Sequence, residues 1–370
     1  MAHLMPGDPA PWFVGRTRGR RDYAFNTVAG RYVALGFIGS SRSAPGQALL
    51  TAIAACRPSL DDVNLTFFGV TADPADEAEG LVADEIPGVR WFFDTDGAIA
   101  SQFGLRDAIG AVEPAWVLLD PALRAVAVGP MSEAGMLAQI VARLPPPNLH
   151  AGVALPAPVL TVPRVFEPEL CRRLIALFDT HGGAEARFTT ETDGRTRVTR
   201  DREHKSRLDY LVDDPDTVAQ CQLRLQRRLV PEIAKAFQFQ ATRIERQLVG
   251  RYDAARGDLF RPHRDNTARG TAHRRFAVTL NLNAEDYEGG ELRFPEFGTA
   301  TYKPPTGGAT VFSCSLMHEA LPVTRGVRYV FLPFLYDEAG AALRLRNNAH
   351  LDESIEKYAP VDGPEAGSPA

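Results

Sequence analysis

Cysteine is scarce in this chain of 370 residues, which holds only Cys56, Cys171, Cys221 and Cys314 and no CxxC pair. That scatter offers neither a disulfide framework nor a zinc knuckle, so reduced, buried thiols are expected. Long apolar runs are lacking as well: no stretch approaches the roughly 18 to 20 uninterrupted apolar residues of a membrane helix. The opening residues Met1 to Asp8 show no basic segment followed by an apolar one, so the expectation is no membrane partner and a cytoplasmic address. A basic excess is missing too. With 41 Lys and Arg against 46 Asp and Glu, the net charge of -5 argues against a nucleic-acid groove. The one arginine-rich stretch, Arg195 to Arg207, also holds Asp201 and Glu203 and reads as a solvated loop or a flap facing substrate. Its His204 and Lys205 make it a candidate lid, as mobile loops commonly complete such sites. The sequence leaves the oligomeric state open.

What the chain does have is enough apolar character, 45% of its residues, to bury a core, and enough length for two domains. Short apolar runs at 32–38, 65–71 and 115–120 alternate with helical patterns at 47–55, 74–83 and 131–144, as in a parallel α/β domain. Prolines at 145–147, 156 and 158 then mark a semi-rigid linker, taken as residues 146–159. Past it, helical spacing from Leu170 and over 216–237 gives way after Gln238 to short strands between Gly and Pro turns, the pattern of a β-sandwich or jelly roll. From residue 339 the chain reads as a tail, with Gly363 to Ala370 disordered.

The second half carries the chemistry. His263 and Asp265 are two residues apart, so on a strand they share a face, and His318 follows the strand 308–313 to close the set from across the sandwich. Two imidazoles and one carboxylate cover one face of an octahedral metal and leave positions open, the arrangement of non-haem Fe(II) oxygenases, with room for a bidentate 2-oxo acid and O2. Arg328, on the next apolar strand, suits a forked contact to the distal carboxylate of 2-oxoglutarate. Tyr252 can add a hydroxyl to either carboxylate, and Asn281 and Thr279 are further polar candidates for the co-substrate. Taken singly, each residue has a plainer reading: His-x-Asp occurs by chance, Arg328 could be a surface ion-pair partner and Tyr252 a strand aromatic. Glu319 and Arg264 read as solvated neighbours.

Two resemblances organise these readings. Residues 1–145 resemble the peroxiredoxin branch of the thioredoxin fold, at Gly7 to Pro11, at Val70 to Asp73 and from Phe93 to Gly104. The family's nucleophilic cysteine is absent: the turn Gly39 to Gln47 holds none, and Cys56 falls further along the helix. A redoxin fold without peroxidase chemistry is the expectation. Residues 160–338 resemble the prolyl 4-hydroxylase group of 2-oxoglutarate and Fe(II)-dependent dioxygenases, through Tyr252 to Asn266, Tyr287 to Phe294 with its doubled glycine, and Pro305 to Arg328.

That resemblance implies an α+β double-stranded β-helix, or jelly roll, joined to the thioredoxin-like α/β domain. It also implies a coupled oxidation: 2-oxoglutarate loses CO2 to give succinate while an unactivated C–H bond of a protein, peptide or small molecule is hydroxylated. Fe(II), 2-oxoglutarate and O2 would be needed, with ascorbate as the expected reductant. Alternatives from other classes are a sensor or scaffold whose redoxin-like half recruits a protein while the iron half only binds ligand, a thiol peroxidase, and a zinc hydrolase on the same three ligands, which would give Arg328 no task.

Overall fold

The computed structural model describes residues 4–107, 109–192 and 194–359. Two compact units divide the chain, one built from residues up to 157 with 294–300, the other from 158–293 and from 301 onward.

The first unit is a thioredoxin-like α/β fold around one five-stranded sheet. Its strands are β1 (Tyr32–Ile38), β2 (Leu65–Thr71), β3 (Val89–Phe93), β4 (Ala115–Leu119) and β5 (Ala125–Pro130), in the order β3-β2-β1-β4-β5. The first three run parallel, and β4 and β5 antiparallel to their neighbours. All seven residues of β1 and of β2 are buried, as expected of strands covered on both faces, and this is why they appear in the sequence as mostly apolar runs without polar alternation. Helix α1 (Ala44–Cys56) starts where Ser43 caps the Gly46 amide at 3.1 Å. The helix expected over 74–83 is only α2 (Pro74–Ala78). Gly80 turns left-handed there, and the amides of Leu81 and Val82 fold back onto the Asp76 carbonyl. Helices α3 (Ala98–Gln102) and α4 (Ala134–Val141) complete the unit, the latter shorter than the expected 131–144 because Met131–Glu133 forms a 3-10 turn. Within the proline-rich stretch, Pro147–Leu149 is also a 3-10 turn, and the boundary between the units falls after Ala157.

The second unit is a jelly roll backed by helices. Helix α5 (Pro168–His181) buries Leu170, Cys171, Leu174 and Phe178, the periodic apolar stripe read from the sequence. The helical run expected over 216–237 is broken into α6 (Pro215–Arg224), a π-helical turn at Leu225–Leu229 and α7 (Val230–Phe237). Pro231 supplies no amide to the preceding turn, and the widened turn accommodates it.

The larger sheet takes in β6 (Leu160–Val162), β7 (Ala184–Glu185), β11 (Leu208–Leu211), β12 (Arg243–Glu245), β13 (Leu248–Asp253), β15 (Phe276–Asn281), β18 (Ala309–Ser313), β20 (Val327–Phe331) and β21 (Phe334–Tyr336). The smaller one orders as β10 (Lys205–Ser206), β14 (Leu259–His263), β19 (His318–Ala320), β16 (Leu292–Arg293) and β17 (Thr301–Tyr302). Strands β8 (Phe188–Thr192) and β9 (Arg195–Thr199) form a separate hairpin. Tyr252 and Val330 from the larger sheet and Ala320 from the smaller share one buried cluster with Tyr287 and Val323, so the two sheets meet at the site.

The expected tail is ordered as far as the description reaches. Asp337 caps α8 (Glu338–Arg346) by accepting from the Gly340 amide at 2.8 Å. Asn348 then exchanges two hydrogen bonds with Tyr358, and Leu351 bridges Thr196 of the hairpin. The disordered end expected at Gly363 to Ala370 lies outside the described residues.

Candidate functional site

His263 ends β14 and pairs in register with His318, the first residue of β19. The third ligand therefore comes from the adjacent strand of the same sheet, not from across the sandwich. Asp265 does not sit on the strand either. The ladder is irregular between Phe260 and His263, β14 stops at His263, and Asp265 lies in the following bend, where its amide donates to the Cys314 carbonyl at 3.0 Å. An adjacent-strand pair plus a bend achieves what two positions on one strand were expected to achieve. The three ligand atoms lie within 4.8 Å of one another, with His263 Nε2 3.6 Å from Asp265 Oδ1 and His318 Nε2 3.3 Å from Asp265 Oδ2.

Orientation is set by backbone carbonyls. His263 Nδ1 is 2.8 Å from the Arg261 carbonyl and His318 Nδ1 is 3.1 Å from that of Leu316, so each ring donates from Nδ1 and turns a lone pair on Nε2 inward. Phe260 stacks on His263 with centroids 3.4 Å apart. Burial, and then the neighbouring His318, push the His263 imidazole down to about 4, which keeps it neutral. Burial opposes the Asp265 charge, but His318 and His263 outweigh it, and the carboxyl titrates below its usual range. A neutral His263 imidazole and an ionised Asp265 carboxylate are forms that a divalent cation requires. The donor set, nitrogen and oxygen without thiolate, suits Fe(II); the nearest cysteine, Cys314, is buried and its thiol is pushed up, first by burial and then by Asp265.

Arg274 supports this set from behind. Its Nη1 donates to the Asp265 carbonyl at 3.3 Å, while Nε and Nη2 grip Glu245 at 2.8 and 2.6 Å, and His273 meets the same carboxylate at 2.7 Å. Arg264 is not solvated, contrary to expectation: it is buried and bonded to the Ser315 carbonyl. Glu319 is buried as well and accepts from Arg293 at 2.6 Å.

Arg328 and Tyr252 are cross-strand partners on β20 and β13, and both are 2% exposed. The guanidinium carbon lies 5.1 Å from the Tyr252 ring centroid. Arg328 Nε has no hydrogen-bond partner among the described residues, although its charge and a hydrogen bond reach Tyr287. The doubled glycine read from the sequence explains the space around it. Gly289 and Gly290 both have positive φ, and a Cβ on Gly290 would stand 3.0 Å from Arg328 Cδ.

Asn281 is committed elsewhere, its Nδ2 donating to the Pro304 carbonyl at 2.7 Å and its Oδ1 accepting from Tyr287 at 3.2 Å. Its link to Arg328 is through Tyr287. Thr279 is buried on β15 in register with Thr310.

Sequence reasoning missed Arg207, Asp209 and Tyr287, and misjudged Lys205. The stretch 195–207 is not uniformly solvated. Arg195 and Arg197 are exposed on the hairpin, whereas Lys205 and Arg207 are 5% and 3% exposed. Arg207 binds Asp209 with two contacts, 2.5 Å from Nε and 3.2 Å from Nη2, and donates from Nη1 to the Tyr252 hydroxyl at 2.9 Å. Lys205 Nζ donates to the Arg187 carbonyl at 2.7 Å and lies 4.8 Å from the Phe260 ring. Burial, followed by the Arg207 charge, drives its pKa well down. Lys205 lies on β10, Asp209 on β11 and Arg207 between them, so no single strand face carries the three and no local pattern marked them. His204, proposed for the lid, has its ring 6.4 Å from that of His263 and 4.8 Å from Phe188 of the hairpin.

In the first unit, the turn before α1 holds Ser40, Ser41 and Ser43. Cys56, at the far end of α1, is buried, and burial pushes its thiol up, the opposite of an activated thiolate.

Residues 248–336 match the family model of the 2OG-Fe(II) oxygenase superfamily. A PKHD-type hydroxylase of Methylobacillus flagellatus is 36% identical over 134 residues, covering 33% of this chain and 56% of the relative. The chain spans little more than half the length of that relative and of a second from Hyphomonas neptunium. Among solved structures, a Pseudomonas putida prolyl-4-hydroxylase aligns over 51% of this chain and 95% of its own, with 18% identity and a TM-score of 0.36. The PrxQ protein of Xylella fastidiosa aligns over 38% of this chain and 98% of its own, with 14% identity and a TM-score of 0.33.

Proposed function

We propose that the 2OG-Fe(II) oxygenase domain in the second unit makes this chain a 2-oxoglutarate-dependent hydroxylase. Its target is an unactivated C–H bond of a protein, peptide or small molecule, a prolyl residue of a peptide being the first candidate, and succinate and CO2 are the co-products. The observation that carries this reading is a pair of unspent buried donors beside a three-ligand set. Arg328 Nε has no partner among the described residues, and the Tyr252 hydroxyl makes no hydrogen bond there besides the one it accepts from Arg207. A buried donor left unpaired costs about 1–3 kcal/mol, and an acceptor-only carboxylate would relieve both costs.

His263, Asp265 and His318 would hold the metal, and Arg328 with Tyr252 would hold the distal carboxylate of 2-oxoglutarate. Fe(II) bound there supplies the redox chemistry with O2 and 2-oxoglutarate, and ascorbate would keep it reduced. The chain's own work is orientation and exclusion of water. The Nδ1 bonds of His263 and His318 aim Nε2, Arg274 fixes the Asp265 backbone, and the buried cluster around Tyr252 keeps solvent from the co-substrate. Asn281 acts at one remove, by holding Tyr287 against Arg328, while Thr279 lines the same strand.

Adding 2-oxoglutarate to the anaerobic Fe(II)-loaded chain should produce a weak visible charge-transfer band, and air should then yield succinate. Asp265→Ala should abolish both. A wild-type protein giving neither band nor succinate would sink the reading. A mass-spectrometric search of lysate for a product with one added oxygen atom would then identify the substrate.

A further inference from the structure

We propose that Arg207 is a positioning residue: it makes the Tyr252 hydroxyl an obligate donor toward the co-substrate's distal carboxylate, and so sets a preference for a dicarboxylic 2-oxo acid. This rests on the oxygenase reading above. A guanidinium has five N–H donors and no acceptor, so in the 2.9 Å contact between Arg207 Nη1 and Tyr252 the phenol oxygen must accept. The hydroxyl proton is thereby turned away from Arg207. No acceptor for it occurs among the described residues, and Tyr252 is 2% exposed.

The two arginines beside Tyr252 are not equivalent. Their guanidinium carbons lie at similar distances from the Tyr252 ring centroid, 5.5 Å for Arg207 and 5.1 Å for Arg328. Arg207 is neutralised by its two-point contact with Asp209, which also fixes the plane of its fork. Arg328 has no ion pair among the described residues and keeps a free Nε. One cation is thus spent on orientation and the other is available for charge. Asp209 locks Arg207, Arg207 locks the Tyr252 hydroxyl, and the phenol proton and the Arg328 fork are left for a ligand with two acceptor oxygens. A 2-oxo acid lacking the distal carboxylate would meet the metal but leave both donors unpaired.

The test uses the full chain loaded with redox-inert Zn(II), with calorimetric dissociation constants for 2-oxoglutarate and for 2-oxobutyrate, which shares the chelating head but lacks the distal carboxylate. Arg207→Gln should weaken 2-oxoglutarate binding about tenfold, equivalent to one directed hydrogen bond, and leave 2-oxobutyrate within about twofold. In a Tyr252→Phe background the same change should cost nothing further, because the hydroxyl it orients is gone. If Arg207→Gln does not fold, the neutral pair Arg207→Gln/Asp209→Asn carries the same expectation without stranding a buried carboxylate. Equal weakening of both ligands, or a full tenfold loss in the Tyr252→Phe background, would overturn the proposal and leave Arg207 a structural ion-pair partner. A wild-type chain binding both acids equally would instead remove the oxygenase reading, and this inference with it.

Discussion

A buried carboxyl group in the first unit, Asp76, and a buried guanidinium in the second, Arg328, are treated in opposite ways. Asp76 is fully buried in the redoxin-like unit, and its carboxylate is completely served: the Ser41 amide donates at 3.0 Å, the Ser41 hydroxyl at 2.5 Å, and Thr71 Oγ1 supplies a further hydrogen bond. Arg328 is almost as deeply buried in the jelly roll, yet its Nε has no partner among the described residues. Where the local chain closes its own hydrogen bonds, the group is structural. Where it withholds one, as at Arg328 Nε, the group is open to the ligand role proposed above. In the turn before α1, where the resemblance would put a nucleophilic cysteine, Ser41 is bound to Asp76.

Substitution can pull this contrast apart. Arg328→Met should have the largest effect on the ligand, weakening 2-oxoglutarate binding about 100-fold, or roughly 2.7 kcal/mol. The metal-free fold should stay unchanged or gain stability, because an under-served buried charge is replaced by an apolar chain of similar length. A large fall in the urea midpoint would break the contrast. Asp76→Ala should do the reverse and cost about 2–4 kcal/mol of unfolding free energy by stranding its donors, with 2-oxoglutarate affinity unmoved. A change in affinity as large as the change in stability would show that the two groups are not of different kinds.

The smallest effect is the surface control. Glu167, beside α5, is held down to about 2 by its hydrogen bond with Arg228, helped by Arg224. Its folded pKa lies below its ordinary value of 4.5, so its contribution is present above that pH and is lost as pH falls toward 2. Because the side chain is 35% exposed, Glu167→Gln should cost less than about 1 kcal/mol at neutral pH, and the difference from wild type should close in acid.

Much of this was legible in the residues. The mostly apolar runs of β1 and β2 appear at their observed bounds because burial on both faces leaves little room for charged residues. His263, Asp265 and His318 come within 4.8 Å of one another, and Tyr252 pairs across strands with Arg328, as two separate groupings that strand order and spacing in a jelly roll constrain. What stayed hidden depended on three-dimensional bookkeeping. Nothing local says that Asp265 falls past the strand end, that Pro231 is met by a π turn, or that Lys205 and Arg207 lie inside while Arg195 and Arg197, in the same basic stretch, lie outside. Charged residues look solvated in a sequence until a partner such as Asp209 is seen to neutralise them. Asn281 illustrates the converse, since its amide suits a ligand in type while its nitrogen and oxygen are bonded to Pro304 and Tyr287, which no local pattern shows.

The pairing of β6 with β18 has a consequence in time. Leu160 is matched with Val311, and Thr196 of the hairpin with Leu351, so about 150 residues separate each pair of partners. During synthesis, the sheet bearing Tyr252 and Arg328 cannot close until residues beyond 330 have left the ribosome, whereas the five strands of the redoxin-like sheet are all available by residue 130. The nascent second unit therefore passes through a period with strand edges open, and the strands of the first sheet precede it on the same chain.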